Sequence, residues 1–425
     1  MARLLFAVAI FVGIIGTSLS VRAQTPDALK GADKSLYESL RKGDTAPDTK
    51  EAKDVIGKEA KYLSAQLIDP QRLNTDTLAI AVENAIKELP VQKFPPKKED
   101  GDVKPNLIAF AGEMGHAMVT ELQPRLKHPN IAVRVNAARM LAVVAQIGAD
   151  EVAAPAIAII EDPKESEAVK HWALETLKNI FAYVPEPSIP EKSAFRPQKK
   201  ADERKAIQVL CDFVLRTPNI DGLSQEEINT YHYNRLVAVR ALGHVRTHRV
   251  RFQENVFAKP AWVLLKVANR DGLVPVPELK ERADAIYAFT QLFPVTRANV
   301  DREINMEYAT DRLTAAILDI VTAKVNPPQN LALQSLSMAW PYTFALWSIG
   351  LEQLQKNVTD SQLNGADAVR TAYARIRTDL LDPLRSNAAG VTPDIQNFQA
   401  WFVSNRTKAT ELYTGDPSSK VNPVK

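Results

Sequence analysis

The stretch HPNIAVRVNAARMLAVVAQIG, residues 128–148, is apolar around too much of its circumference to lie on a surface. On a helical wheel, Val133, Ala137, Met140, Leu141, Val144 and Gly148 fill one arc, while Val135, Ala138, Ala142 and Ala145 fill another. Asn136, Arg139 and Gln146 keep only a narrow arc, which they share with Val143. A surface helix carries a single apolar stripe of roughly 100° or slightly more, so this helix must touch neighbours on at least two sides. The alanines of the second arc let one neighbouring backbone come close.

The stretch has copies. Aligned on Val133-Arg134-x-x-Ala137-Ala138-x-x-Leu141, the chain gives Val169-Lys170-x-x-Ala173-Leu174-x-x-Leu177, Asn234-Arg235-x-x-Ala238-Val239-x-x-Leu242 and Glu281-Arg282-x-x-Ala285-Ile286-x-x-Phe289. A weaker fifth copy, Pro328-Gln329-x-x-Ala332-Leu333-x-x-Leu336, has lost the cation. The cation positions lie 36, 65, 47 and 47 residues apart, which is the spacing of a repeated structural unit with one insertion. Each copy follows a segment of helical periodicity, at 106–126, 151–162, 201–216, 252–268 and 306–324. The unit is a helical hairpin that cannot cover its own apolar surface, whereas stacked neighbours bury a continuous core.

These residues resemble the HEAT-like repeats over about residues 106–350, most clearly in the turn proline, Val-Arg pair, small residues and closing glycine of 128–148. The resemblance implies an α-solenoid with a concave interaction surface and a protein-binding or assembly role. It also implies that the cation of each unit reaches polar groups of the next, a role that falls to Arg134, Lys170, Arg235 and Arg282 and not to Gln329. The inserts at 183–200 and 217–229 depart from regular stacking, either as loops that carry specificity or as plain solvated insertions.

The expected fold class is all-α, with about five stacked helical hairpins at 107–350, an N-terminal helical region at 24–89 and a linker or long loop at 90–106. Capping helices at 351–410 and a disordered tail at 411–425 complete it. The opening 23 residues have Arg3, an apolar run from Leu4 to Ile15 and a small-residue site at Val21-Arg22-Ala23, the layout of a cleavable signal peptide. An uncleaved anchor is the rival reading. Cleavage implies a secreted or periplasmic protein and no integral membrane segment thereafter. Net charge then falls from +3 to +1, because the segment carries Arg3 and Arg22 and no acid. So small a charge offers no field for nucleic acid. The lone Cys211 permits no intrachain disulfide and falls on the apolar face of its segment.

Few residues suggest chemistry. His244 and His248 have a spacing that can share zinc, with Arg240 on the same helical face, but the glutamate of a metalloprotease motif is replaced by Val245, and the surrounding arginines repel a cation. Arg240, Arg246, Arg249 and Arg251 form the densest positive cluster, either a contact for an anionic group or a solvated helix end. Residues 331–351 hold no charge, yet their polar side chains and Pro341 favour a buried final hairpin, broken or kinked at the proline, over a membrane span. Trp340 and Trp347 belong to its core or, facing outward, to a binding patch. No nucleophile elbow, phosphate-binding glycine loop, haem motif or metal-spaced acid cluster occurs in the sequence, so neither cofactor nor metal is expected. The expected function is a non-enzymatic exported scaffold for a protein partner. The alternative is an exported helical enzyme or carbohydrate-binding protein with a site in its groove.

Overall fold

A computed structural model describes residues 27–67, 77–88, 105–183, 195, 197–253, 256–293, 303–385 and 393–422. The signal-peptide segment and most of the expected linker lie outside them, as does most of the 183–200 insert. The helices in chain order are α1 (Gly31–Arg41), α2 (Lys50–Ala65), α3 (Thr77–Glu88), α4 (Pro105–Leu122), α5 (Ile131–Ala145), α6 (Ala153–Glu161), α7 (Glu167–Ala182), α8 (Lys200–Leu215) and α9 (Gln225–His244). They continue as α10 (Pro260–Asn269), α11 (Leu279–Thr290), α12 (Met306–Val325), α13 (Ala332–Ser337), α14 (Trp340–Asp360), α15 (Ala366–Arg375), α16 (Asp382–Arg385) and α17 (Ile395–Ser404).

The fold is all-α and the helices stack as hairpins. The pairs α4–α5, α6–α7, α8–α9 and α10–α11 each pack together, and the second helices α5, α7, α9, α11 and α14 follow one another in an unbroken row. The first helices α6, α8, α10 and α12 form the other row, in looser contact. Local chemistry starts each second helix where the repeat begins. Asn130 and Ser166 accept the free N–H groups at the starts of α5 and α7, while Ser224 with Glu227 and Glu278 with Glu281 form capping boxes on α9 and α11. Close approach in this row also needs small residues. A Cβ on Gly243 of α9 would sit 2.9 Å from that of Ala288 in α11, and one on Gly350 of α14 would meet the Thr290 hydroxyl.

The two apolar arcs of 128–148 are buried except at Val135 and Gly148, which stay partly exposed. Val133, Ala137, Met140, Leu141 and Val144 are fully buried, and so are Ala138 and Ala145. Truncating a core side chain such as Leu141 to alanine typically costs about 2–5 kcal/mol. Cys211 lies in the core of α8, where burial pushes its thiol well above the ordinary cysteine range. The folded protein is therefore expected to resist iodoacetamide at pH 8 and to label only after denaturation; labelling of the native chain, read by mass spectrometry, would contradict this placement.

Four expectations are corrected. The segment 252–268, read as helical throughout, begins instead in an antiparallel strand pair, Val250–Gln253 with Val256–Ala258, and helix begins only at α10. Pro260 explains the boundary, since it suits the first turn of a helix and disfavours helical geometry at the residue before it. The helix of 331–351 is broken rather than kinked, and the break falls just ahead of Pro341: α13 ends at Ser337 and α14 starts at Trp340, with the proline in its first turn. No helix among the described residues is long and apolar enough to cross a membrane. The boundary set at residue 350 falls inside α14, which runs on to Asp360.

The fourth correction concerns the tail. Residues 411–422 are not disordered: they lie across the first-helix row. Leu412, Tyr413 and Ser419 are fully buried and Val421 nearly so. The Tyr413 hydroxyl donates to the His248 carbonyl at 2.6 Å, the Val421 amide donates to the Tyr308 hydroxyl at 2.7 Å, and the Trp262 indole donates to the Lys420 carbonyl at 3.0 Å. Few apolar residues mark this segment in the sequence, but nearly all of them are used.

At the C-terminal end, α15 packs on both α12 and α14 and closes the last pair. It widens into a π-helical turn, Ile376–Leu381, just ahead of Pro383 in α16. A proline there removes an N–H donor and crowds the preceding turn. The same end is covered by α17, which rests on that turn and on α12.

Candidate functional site

The cations aligned by the repeat lie at the joints between hairpins. Arg134 reaches forward to the turn before α7, where Nε is 3.0 Å from Glu165 Oε2 and Nη2 is 3.1 Å from Oε1; its Nη1 donates to the His128 carbonyl. Arg235 is wholly buried and reaches α11, with Nε donating to Glu281 Oε1 at 2.6 Å, Nη2 to Oε2 at 3.0 Å and Nη1 to the Pro275 carbonyl at 2.8 Å. Arg282 reaches α12, its Nη2 2.7 Å from Asp319, and its Nε donates to the Ala268 carbonyl. Burial pushes this guanidinium down to about 10, with Arg270 adding to the effect and Asp319 opposing it, so it stays charged at neutral pH.

Lys170 differs. Its ammonium lies 4.0 Å from Glu167 in its own helix, and burial lowers its pKa against the pull of that carboxylate. The joint to the next hairpin is made by Glu167, which accepts from Arg216 at 2.6 Å and from the Asn234 amide at 2.9 Å. Glu167 stays below the usual carboxylate range: burial would raise it, and the Arg216 and Asn234 bonds with the Arg216 charge prevail. Replacing Arg134, the most exposed of the three arginines, with alanine is expected to lower stability by about 1–2 kcal/mol in urea denaturation. An unchanged midpoint would mean that the Glu165 contact stabilises nothing.

The outward face of the second-helix row is a different surface. Arg139 of α5 lies over the Trp172 ring of α7 at 5.6 Å, and His171 stacks on Tyr233 of α9 at 4.9 Å. Arg240 of α9 is 2.6 Å from Asp284 of α11, and the Tyr287 ring of α11 packs against α14 at Gly350, on the helix that carries Tyr342. Tyr233 is 55% exposed and Tyr342 65%. The strip thus crosses every joint from α5 to α14. Its charges are paired where they stand, Lys178 with Glu175 and Arg139 with Glu83 as well as Arg240 with Asp284. It presents aromatic faces and hydrogen-bonding groups without a strong field.

The expected contact residues scatter. Arg240 is on this strip, but Arg249 lies at the other row, its guanidinium over Phe257 at 4.4 Å and Tyr413 at 4.9 Å and paired with Glu303. Arg251 is exposed beside the same phenylalanine, and Arg246 occupies a left-handed turn after α9. The four therefore form no common basic patch. Trp347 is fully buried, donating to the Ala283 carbonyl at 3.0 Å, so it belongs to the core and not to a contact surface. Trp340 is half-buried, stacked on Phe344 at 5.5 Å. His244 and His248 do not share a helical face. The helix ends at His244, and the left-handed Arg246 turns His248 inward between Phe293 and Tyr413.

The sequence reading missed Trp172, Tyr233 and Tyr287, while Tyr342 belongs to the aromatic stretch read as core or outward-facing patch and is 65% exposed. A signal existed in the register: Arg139, Glu175, Arg240 and Tyr287 stand five residues past the four aligned cations, and all lie on this strip. Trp172 and Asp284 stand two past their own cations, and each meets the fifth-place residue of the hairpin before it.

No protein-family model matches the chain, and no curated protein sequence does. Among solved structures, that of SYS-1 aligns with 88% of this chain and 72% of its own, at 12% identity and a TM-score of 0.30.

Proposed function

We propose that this chain is an exported, non-enzymatic scaffold that holds a protein partner along the outward face of its second helices. The observation that carries the reading is the strip from Arg139 to Tyr342, which reaches all four joints of the row. Tyrosine, tryptophan and arginine are the residues that anchor protein interfaces, because they bury large areas at low entropic cost while still hydrogen-bonding. The neutralised charges favour a partner recognised by packing and hydrogen bonds over a polyanion. Export rests on the expected signal peptide at residues 1–23.

The test uses the partner recovered with the wild-type chain from the exported fraction. Tyr233→Ala and Tyr342→Ala are expected to change the unfolding free energy by no more than the about 0.5 kcal/mol typical of surface changes, while weakening the complex tenfold or more. Full binding by the double variant, measured by calorimetry, would refute the assignment of this face.

A further inference from the structure

We infer that the cleft between α12, α15 and α17 is a binding site for a neutral saccharide, separate from the second-helix strip. The cleft has a volume of about 500 Å³, within the range of small-molecule sites, roughly 300–1,000 Å³. Its walls are rich in neutral hydrogen-bonding groups: the hydroxyls of Thr310, Thr314, Thr371 and Thr407 and the amide of Asn405.

One of these hydroxyls is conspicuous. Thr314 is 1% exposed, and its Oγ1 makes no hydrogen bond among the described residues. A buried hydroxyl left alone is a cost that folding normally avoids, and a threonine on a helix ordinarily bonds back to its own preceding turn, as Thr322 of the same helix does with Leu318. Thr314 lines the cleft instead, where a ligand hydroxyl would satisfy it.

Glu307, Asp367 and Lys408 also line the cleft, and the buried carboxylate nearest Thr314 is already matched. Asp311, one turn before Thr314, is 6% exposed and takes Arg406 from the end of α17, with Nη2 donating to Oδ2 at 2.9 Å and Nε 2.6 Å from Oδ1. Arg312 stands 3.8 Å from the same carboxylate. A carboxylate locked between guanidinium groups has little charge to offer an ionic ligand, but its spare lone pairs accept sugar hydroxyls. Trp401 lines the same cleft and is half-exposed, with the Arg375 guanidinium 5.5 Å from its ring. Its apolar face suits the C–H face of a pyranose. Matched charge, several hydroxyls and an indole together suit a neutral polyhydroxyl ring better than an anion, a cation or a hydrocarbon.

The experiment is calorimetric titration of the full mature chain with maltose, cellobiose and N,N′-diacetylchitobiose. At least one is expected to bind with one-to-one stoichiometry at millimolar or lower concentration. Thr314→Val keeps the shape and removes the lone hydroxyl, so it is expected to leave the free protein as stable as wild type or more so, yet to weaken binding about tenfold. Trp401→Ala is expected to weaken binding at least as much, and Tyr233→Ala on the partner-binding strip to leave it unchanged, so that this inference and the scaffold reading fail separately. No binding of the three sugars, or binding that survives unaltered in both Thr314→Val and Trp401→Ala, overturns the inference.

Discussion

An Arg235→Ala variant is expected to lose about 3–5 kcal/mol of stability, the usual result of breaking a buried ion pair from one side. Arg235 is fully buried, and its departure would leave the Glu281 carboxylate, 1% exposed, with the His232 ring at 2.8 Å and the Glu278 amide at 2.7 Å as hydrogen-bond partners. The arginine is also the link between α9 and α11, and its third donor holds the loop at Pro275. Replacing both partners, Arg235→Met with Glu281→Leu, is expected to recover most of the loss, because no unpaired charge is then left in the core. Denaturant titration of the single and double variants decides the matter. Equal loss in both would show that packing of the arginine stem, and not its charge, sustains the joint.

The same pair makes stability depend on acid. Burial alone would raise the Glu281 carboxyl, but the hydrogen bonds from His232 and Arg235 and the charge of Arg235 bring it below the ordinary carboxylate value of 4.5. A carboxyl held low in the folded state contributes stability that is complete above the unfolded value and is lost as pH falls through the folded one. The wild-type chain is therefore expected to lose stability below about pH 4.5 more steeply than the Met/Leu double variant.

The second large effect belongs to the tail. Tyr413→Ala is expected to cost about 3–5 kcal/mol, the range for removing a large buried aromatic, and Tyr413→Phe only about 1 kcal/mol, for the lost hydroxyl bond. The ring is fully buried and stacks against His248 at 5.9 Å, while its hydroxyl reaches the His248 carbonyl. Lys259 and Asp416 form an ion pair close by, and Asn422 donates to Asp271 at 2.9 Å. Deleting residues 411–425 is expected to lower the melting temperature at least as far as Tyr413→Ala does. A deleted chain that melts like wild type would show that the strap adds nothing to the array.

What the sequence disclosed and what it hid follow from the range of the forces involved. The hairpins were legible because their signals are local: apolar arcs at helical spacing, small residues where backbones meet, and polar caps such as Asn130 and Ser166. The positions of the aligned cations were legible for the same reason. Their partners were not, since Glu281 lies 46 residues beyond Arg235 and Asp319 lies 37 beyond Arg282, and no periodicity links the members of either pair. The tail was misread because a short polar segment with Gly415 and Pro417 has the composition of a disordered end, and only contact with His248 and with Tyr308 of α12 gives Tyr413 and Val421 a place. The four arginines at 240–251 looked like one cluster because they are close in sequence. A helix end and a strand pair within a dozen residues send them to opposite rows.

The exposed strip lies between these cases. Tyr233 and Tyr342 carry no repeat signature of their own, yet Arg139, Glu175, Arg240 and Tyr287 hold a constant offset from the aligned cation. Stacking converts that constant offset into a single continuous surface.

Hydrogen exchange of the chain with and without its co-purified partner measures most directly whether that surface is where the scaffold works. Slowed exchange is expected in α7, α9, α11 and the first turns of α14, around Trp172, Tyr233, Tyr287 and Tyr342, with the first helices and the strap unchanged. Protection confined to α6, α8, α10 and residues 411–422 would place the partner on the opposite row and contradict the assignment.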